Sequence, residues 1–178
     1  MAALPITSVL SSLFMALKSS NQVILQAPPG AGKSTLLPLK LLQEKLFSGR
    51  ILMLEPRRLA ARNIALFMAA QLQQKVGEEV GYRMRGDTQV SNSTRLEVVT
   101  EGILTRMIQQ DPELTDYDLI IFDEFHERSL NADIGLAFAL EVQQGLRDDL
   151  KLLVMSATLD SEGLQNMLPD AQLLTAEG

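Results

Sequence analysis

The chain has 178 residues, a length that fits one globular domain with its own core, and its 46% hydrophobic and 21% charged composition is that of an ordinary α/β domain. A net charge of −6 excludes a broadly basic nucleic-acid module, and the absence of Cys excludes a disulfide frame and any Cys-based metal site. No apolar run reaches the roughly 18 residues of a membrane span, and Met1 to Leu17 lacks a basic start and a cleavage site, so the expectation is a cytoplasmic enzyme or binding domain without a membrane partner.

Ile6, Val9, Leu10, Leu13, Phe14 and Leu17 recur at helical spacing and predict an amphipathic helix over Leu4 to Leu17. Val23 to Gln26 is a short apolar strand running into a loop at Ala27. A helix is expected from Lys33 to about Phe47, with Pro38 in its second turn bending it. The pattern then repeats. Strands are expected at Ile51 to Leu54, Val80 to Met84, Leu96 to Val99, Leu119 to Phe122 and Leu152 to Met155. Helices are expected at Leu59 to Gln74, Glu101 to Gln110, Ala132 to Gly145 and Ser161 to Leu168. Strands that alternate with helices and are apolar on both faces mean a parallel sheet covered on both sides. Ligands of such sheets sit beyond the carboxyl ends of the strands, where every motif below falls.

The first motif is Ala27-Pro28-Pro29-Gly30-Ala31-Gly32-Lys33-Ser34-Thr35, a phosphate-binding loop with Ala in the usual first Gly position. Gly30 and Gly32 let successive backbone N–H groups turn inward toward phosphate oxygens. The following helix adds its positive end. Lys33 reaches the β- and γ-phosphates, Ser34 ligates Mg²⁺, and Thr35 adds an α-phosphate contact. The plain alternative is a Gly-containing strand-to-helix turn, but the motif lies between an apolar strand and a helix, as phosphate binding requires.

Leu119 to Phe122 leads into Asp123 and Glu124, two carboxylates at the end of a buried strand. Asp123 suits Mg²⁺, largely through its water shell, and Glu124 suits orientation or deprotonation of an attacking water. A water-activating Glu separates hydrolases from phosphate-loop kinases. The alternative role of the pair is to cap the next helix. His126, the single His, is expected to couple the nucleotide to a second site. Ser156-Ala157-Thr158 ends the strand at Leu152 to Met155. If that strand lies between the strand before Ala27 and the strand before Asp123, as the resemblance described below implies, Ser156 and Thr158 can relay the state of the acidic segment. Arg57 and Arg58 follow another strand end, where guanidinium forks can grip phosphates; cations are otherwise out of place at a helix start.

Together these residues resemble the first RecA-like domain of superfamily 2 helicases of the DEAH/RHA group. Ala27–Thr35 resembles motif I, Glu55 to Ala61 motif Ia, Thr100-Glu101-Gly102 motif Ib, Asp123-Glu124-Phe125-His126 motif II, and Ser156-Ala157-Thr158 motif III. Phe125 and the segments around Gly81 to Arg85 and Val142 to Leu150 are similar to the bacterial HrpB-type subfamily. The resemblance implies a RecA-like three-layer α/β sandwich with a mostly parallel sheet, spanning residues 1–178 as the N-terminal part of a longer helicase. It implies an ATP- and Mg²⁺-dependent motor on single-stranded RNA, with DNA as the alternative. Arg57, Arg58, Thr100, Glu101 and Gly102 would face the strand, and a second RecA-like domain would complete the site. It also implies a base-stacking position at the offset of Phe67, although helical spacing assigns Phe67 to the core. Without the second domain, weak ATP binding and poor hydrolysis are expected. A small phosphate-loop kinase and a non-enzymatic nucleotide-binding module are the rival readings.

Overall fold

The computed structural model describes residues 9–28, 33–125, 130–157 and 161–176. Among these residues eight strands form one sheet in the order β4-β3-β5-β2-β6-β7-β1-β8. They are β1 (Gln22–Gln26), β2 (Arg50–Leu54), β3 (Val80–Met84), β4 (Asp87–Gln89), β5 (Leu96–Val99), β6 (Tyr117–Phe122), β7 (Lys151–Ser156) and β8 (Gln172–Thr175). Every pair is parallel except β3 with β4, which form an antiparallel hairpin. The helices are α1 (Leu10–Ser19), α2 (Leu36–Gln43), α3 (Arg58–Gln71), α4 (Glu101–Gln110), α5 (Leu130–Gly145) and α6 (Ser161–Met167).

Alternation along the strands builds two cores. Val23 and Leu25, Ile51 and Met53, Ile121 and Met155 face α1, α2 and α3, where Leu13, Leu37 and Met68 meet them. Ile24, Leu52 and Leu54, Ile120 and Phe122, Leu152 and Val154 face the other way, onto Leu104 of α4, Leu136 of α5 and Leu164 of α6. Where a strand buries both its faces it has to be apolar, as Leu119 to Phe122 of β6 and Leu152 to Met155 of β7 are. The expected three-layer sandwich with a mostly parallel sheet is therefore present. No helix among the described residues is long and apolar enough to cross a membrane.

Several boundaries move. The first helix runs Leu10–Ser19, and the stretch expected from Leu4 lies largely outside the described residues. Lys33 to Thr35 form a turn, so α2 starts at Leu36 rather than at Lys33 and ends at Gln43. Pro38 is thus its third residue, inside the first turn, where no intrahelical N–H bond is lost and no bend is required. The third helix stops at Gln71, and Gln73 follows at φ 57. Strands β4 and β8 are additional. The hairpin of β3 and β4 closes through Arg85 and Gly86, with Gly86 at φ 80. It packs so closely that a Cβ on Gly81 would lie 2.3 Å from the carbonyl oxygen of Gln89.

Away from the carboxyl ends, Glu97 of β5 is a fully buried carboxylate. It takes Arg50 Nη1 at 3.4 Å, Arg83 Nε at 3.1 Å and the Tyr117 hydroxyl, which donates to it at 2.6 Å. Four strands (β2, β3, β5 and β6) are tied by this one group. Burial first, and then the bond to Glu97 and its charge, hold the Tyr117 phenol well above its ordinary pKa.

Candidate active site

The carboxyl ends of the central strands present the motifs in a row set by strand order. Across the sheet come Thr100 to Gly102 after β5, Glu55 to Arg58 after β2, Asp123 and Glu124 after β6, Ser156 at the end of β7, and Ala27 after β1. The expected place of β7, between β1 and β6, is observed. Backbone bonds continue the ladder past the strands. Glu55 donates its N–H to Val99 O at 2.9 Å, Asp123 to Leu54 O at 3.0 Å, Phe125 to Met155 O at 3.0 Å and Ala27 to Ser156 O at 2.9 Å. The loops that carry the candidate residues are therefore fixed to neighbouring strands.

On the β1 side, Lys33 is 5% exposed, and its Nζ donates to Ala27 O at 3.2 Å across the start of the loop. Ser34 donates its hydroxyl to Asp123 Oδ2 at 2.7 Å. Residues 89 positions apart in sequence thus meet, and the two expected to share Mg²⁺ are in direct contact. The donors are all oxygens, as a hard cation requires, and one hydroxyl plus one carboxylate suits an ion that keeps water and phosphate as its other ligands. A cluster of three or more His, Cys, Asp or Glu able to hold a metal by itself does not occur among the described residues. Thr35 is the N-cap residue of α2. Pro29, Gly30, Ala31, Gly32, His126 and Thr158 lie outside the described residues.

Asp123 is 4% exposed, and its Oδ1 accepts the Glu124 N–H at 2.9 Å. Glu124 takes φ 51, in the left-handed region that side-chain-bearing residues occupy at a cost, and its carboxylate is 29% exposed. Arg57 Nη2 stands 3.9 Å from Glu124 Oε2. A residue assigned to the nucleic-acid strand is therefore beside the residue assigned to water. Arg58 is exposed at the first position of α3 and donates to Arg85 O at 3.0 Å. Thr100 is the N-cap residue of α4, with Glu101 and Gly102 in its first turn.

One site residue had no role assigned from sequence. Glu55 is 1% exposed, and its Oε2 has no hydrogen-bond partner. Burial, then the bond to Asp123 and the charges of Asp123 and Glu124, push its carboxyl up to about 10 against the opposing pull of Arg57. The signal was available, because Glu55 ends an apolar strand just as Asp123 does. Phe67 also departs from expectation. It is 51% exposed on α3, and the core positions of that helix are Ala61, Ala65, Met68 and Ala69. Three of these four core positions are Ala, while Leu59, Leu66 and Phe67 are exposed.

The sequence profile of the DEAD/DEAH box helicases matches residues 7–167. The chain is 61% identical to the ATP-dependent RNA helicase HrpB of Escherichia coli (strain K12) over 178 residues, covering 100% of this chain and 22% of that protein. It is 37% identical to the ATP-dependent RNA helicase HrpA of Borreliella burgdorferi over 98% of this chain and 21% of that protein. Among solved structures, the crystal structure of the E. coli DExH-box NTPase HrpB superposes with a TM-score of 0.96 at 61% identity, over 100% of this chain and 22% of that one. The chain spans about a fifth of the length of these relatives. Profile, sequence and RecA-like sheet agree over the same residues, and the chain belongs to the DEAD/DEAH box helicases.

Proposed function

We propose that residues 1–178 are the N-terminal, ATP-binding RecA-like domain of a longer cytoplasmic RNA helicase, hydrolysing ATP in step with its grip on a single RNA strand. The observation that carries this reading is the 2.7 Å contact between Ser34 and Asp123, which joins the phosphate loop to the acidic strand end. The HrpB and HrpA relatives, each named an ATP-dependent RNA helicase, support the substrate class.

In this reading Ala27 to Thr35 cradle the phosphates, and Lys33 exchanges its bond to Ala27 O for phosphate oxygens. Ser34 and Asp123 would hold Mg²⁺, which supplies charge neutralisation at the phosphates. Glu124 orients the attacking water and takes its proton as the water oxygen bonds to the γ-phosphorus and the bridge to the β-phosphate breaks. Arg57, Arg58 and Thr100 to Gly102 hold the strand by its backbone, which positions without reading sequence. Ser156, Thr158 and His126 couple the two sites. A second RecA-like domain contributes the remaining cations of the catalytic site, so this chain alone turns over slowly.

The test is ATP binding and turnover in the full-length polypeptide with Lys33→Ala and Glu124→Gln. Lys33→Ala should weaken ATP binding by roughly 10- to 100-fold, the value of a charge-assisted contact. Glu124→Gln should retain binding and lose turnover. Undiminished turnover in Glu124→Gln would sink the assignment; phosphate transfer to a small acceptor would favour a kinase, and binding without turnover in wild type a non-enzymatic module.

A further inference from the structure

The two halves of the site meet where β2 lies beside β6. Glu55 donates its N–H to Val99 O at 2.9 Å and Asp123 donates its own to Leu54 O at 3.0 Å, which anchors the start of the Glu55-Pro56-Arg57 turn beside the acidic strand end. From that anchored turn Arg57 reaches Glu124 at 3.9 Å. The Arg57 side chain is 61% exposed, so a strand phosphate can approach its guanidinium from solvent. Glu124, for its part, sits in a backbone conformation that needs surrounding contacts to persist. Its N–H on Asp123 is one such contact, and the approach of Arg57 to its carboxylate is another.

We infer that Arg57 is a latch on Glu124: without a nucleic-acid strand its guanidinium draws the Glu124 carboxylate toward the end of β2, and a strand phosphate that takes over Arg57 releases Glu124 to the water. The inference rests on the nucleic-acid reading of Arg57 above. Relative strengths favour the exchange. The contact with Glu124 is a long, solvent-washed ion pair, a kind that contributes little. A phosphodiester offers the guanidinium a bidentate, charge-assisted partner. Because the turn is anchored through Glu55, the exchange needs the Arg57 side chain to swing and leaves the backbone in place. Arg57 is thus a positioning residue that acts on the reaction through Glu124.

The experiment measures ATP turnover in the full-length polypeptide, with and without single-stranded RNA, for wild type, Arg57→Ala and Arg57→Lys. Removing the latch should raise RNA-free kcat by roughly three- to fivefold with the KM for ATP little changed, and should flatten the response to RNA. Added salt should raise RNA-free turnover in wild type and leave Arg57→Ala unaffected, a dependence that a merely structural role would not produce. Arg57→Lys keeps the charge without the fork and should fall between the two. An active wild type with RNA-free turnover unchanged or reduced in Arg57→Ala overturns the latch alone. A wild type without turnover, or Glu124→Gln as active as wild type, overturns the helicase reading and the latch together.

Discussion

Replacing Glu55 by Gln should stabilise the protein, and more so as pH rises. Glu55 is 1% exposed, and its carboxyl is raised from an ordinary 4.5 to about 10. Below the ordinary value the group is protonated in both the folded and the unfolded chain, and its contribution to stability is fully present. As pH climbs above 4.5 the unfolded chain releases this proton while the folded chain keeps it, and stability is lost at ~1.4 kcal/mol per pH unit until the folded pKa of about 10 is reached. Near pH 7 the unfolded chain has lost this proton while the folded chain keeps it, and with relaxation around the site the effect should be ~1–3 kcal/mol. Gln does not titrate, fills the same volume and can still donate to Asp123. Urea denaturation followed by circular dichroism, without nucleotide or divalent ions, at about pH 5 and about pH 8 isolates the term, because every other titrating group is common to both proteins. The advantage of Glu55→Gln should be small at the lower pH and larger by at least ~1 kcal/mol at the higher. An advantage equal at both pH values, or a variant less stable than wild type near pH 8, refutes the reasoning.

Two further substitutions probe the frame. Phe122 is fully buried, and its ring meets Phe125 edge-on at 6.3 Å between centroids, so Phe122→Ala should cost ~3–5 kcal/mol in urea denaturation; a loss below ~1 kcal/mol would mean the site is not packed as described. Glu97→Ala strands Arg50 and Arg83 and should cost ~3–5 kcal/mol. It also removes the bond and the charge that raise the Tyr117 phenol, so ultraviolet titration should find that phenol ionising at lower pH than in wild type, and an unchanged titration would count against the network.

The parts of the fold that could be read from sequence are those whose hydrophobic pattern is set by burial. Strands β3 and β5 and helix α4 have the expected ends, because apolar runs or periodic faces stop there against turn-forming or polar residues. Strand β4 could not be found that way, since Asp87, Thr88 and Gln89 carry no alternation and pair only with the edge of β3. Strand β8 is four residues at the other edge, mostly exposed and short of a pattern. The onset of α2 was misplaced because a phosphate-loop motif specifies Lys33 and Ser34 without saying where helical hydrogen bonding begins. Within the site, strand ends and local motifs led to Lys33, Ser34, Asp123, Glu124 and Arg57. Their mutual distances came only from strand order, which sequence expressed for β7 through resemblance alone. Glu55 escaped because a carboxylate beside two arginines in sequence reads as part of a basic turn, and its burial against Asp123 is a property of the sheet. Phe67 was misread because periodicity gives the spacing of a face and leaves open which of two faces is inward.

Strand β7 receives the N–H of Ala27 at Ser156 O and the N–H of Phe125 at Met155 O, on its two opposite edges. The phosphate loop and the acidic loop therefore share one support. Their separation cannot be tuned by lengthening either loop, because each is pinned where it leaves its strand. It can be tuned only through the pitch and pleat of β7, and a one-residue slip there would turn its side chains over and carry both loops along. On the proposed reading, an engineer wishing to change which nucleotide fits or how fast it is cleaved would vary residues in the loops beyond these two pins. The last two residues of β7 set the gauge of the site and are best left untouched.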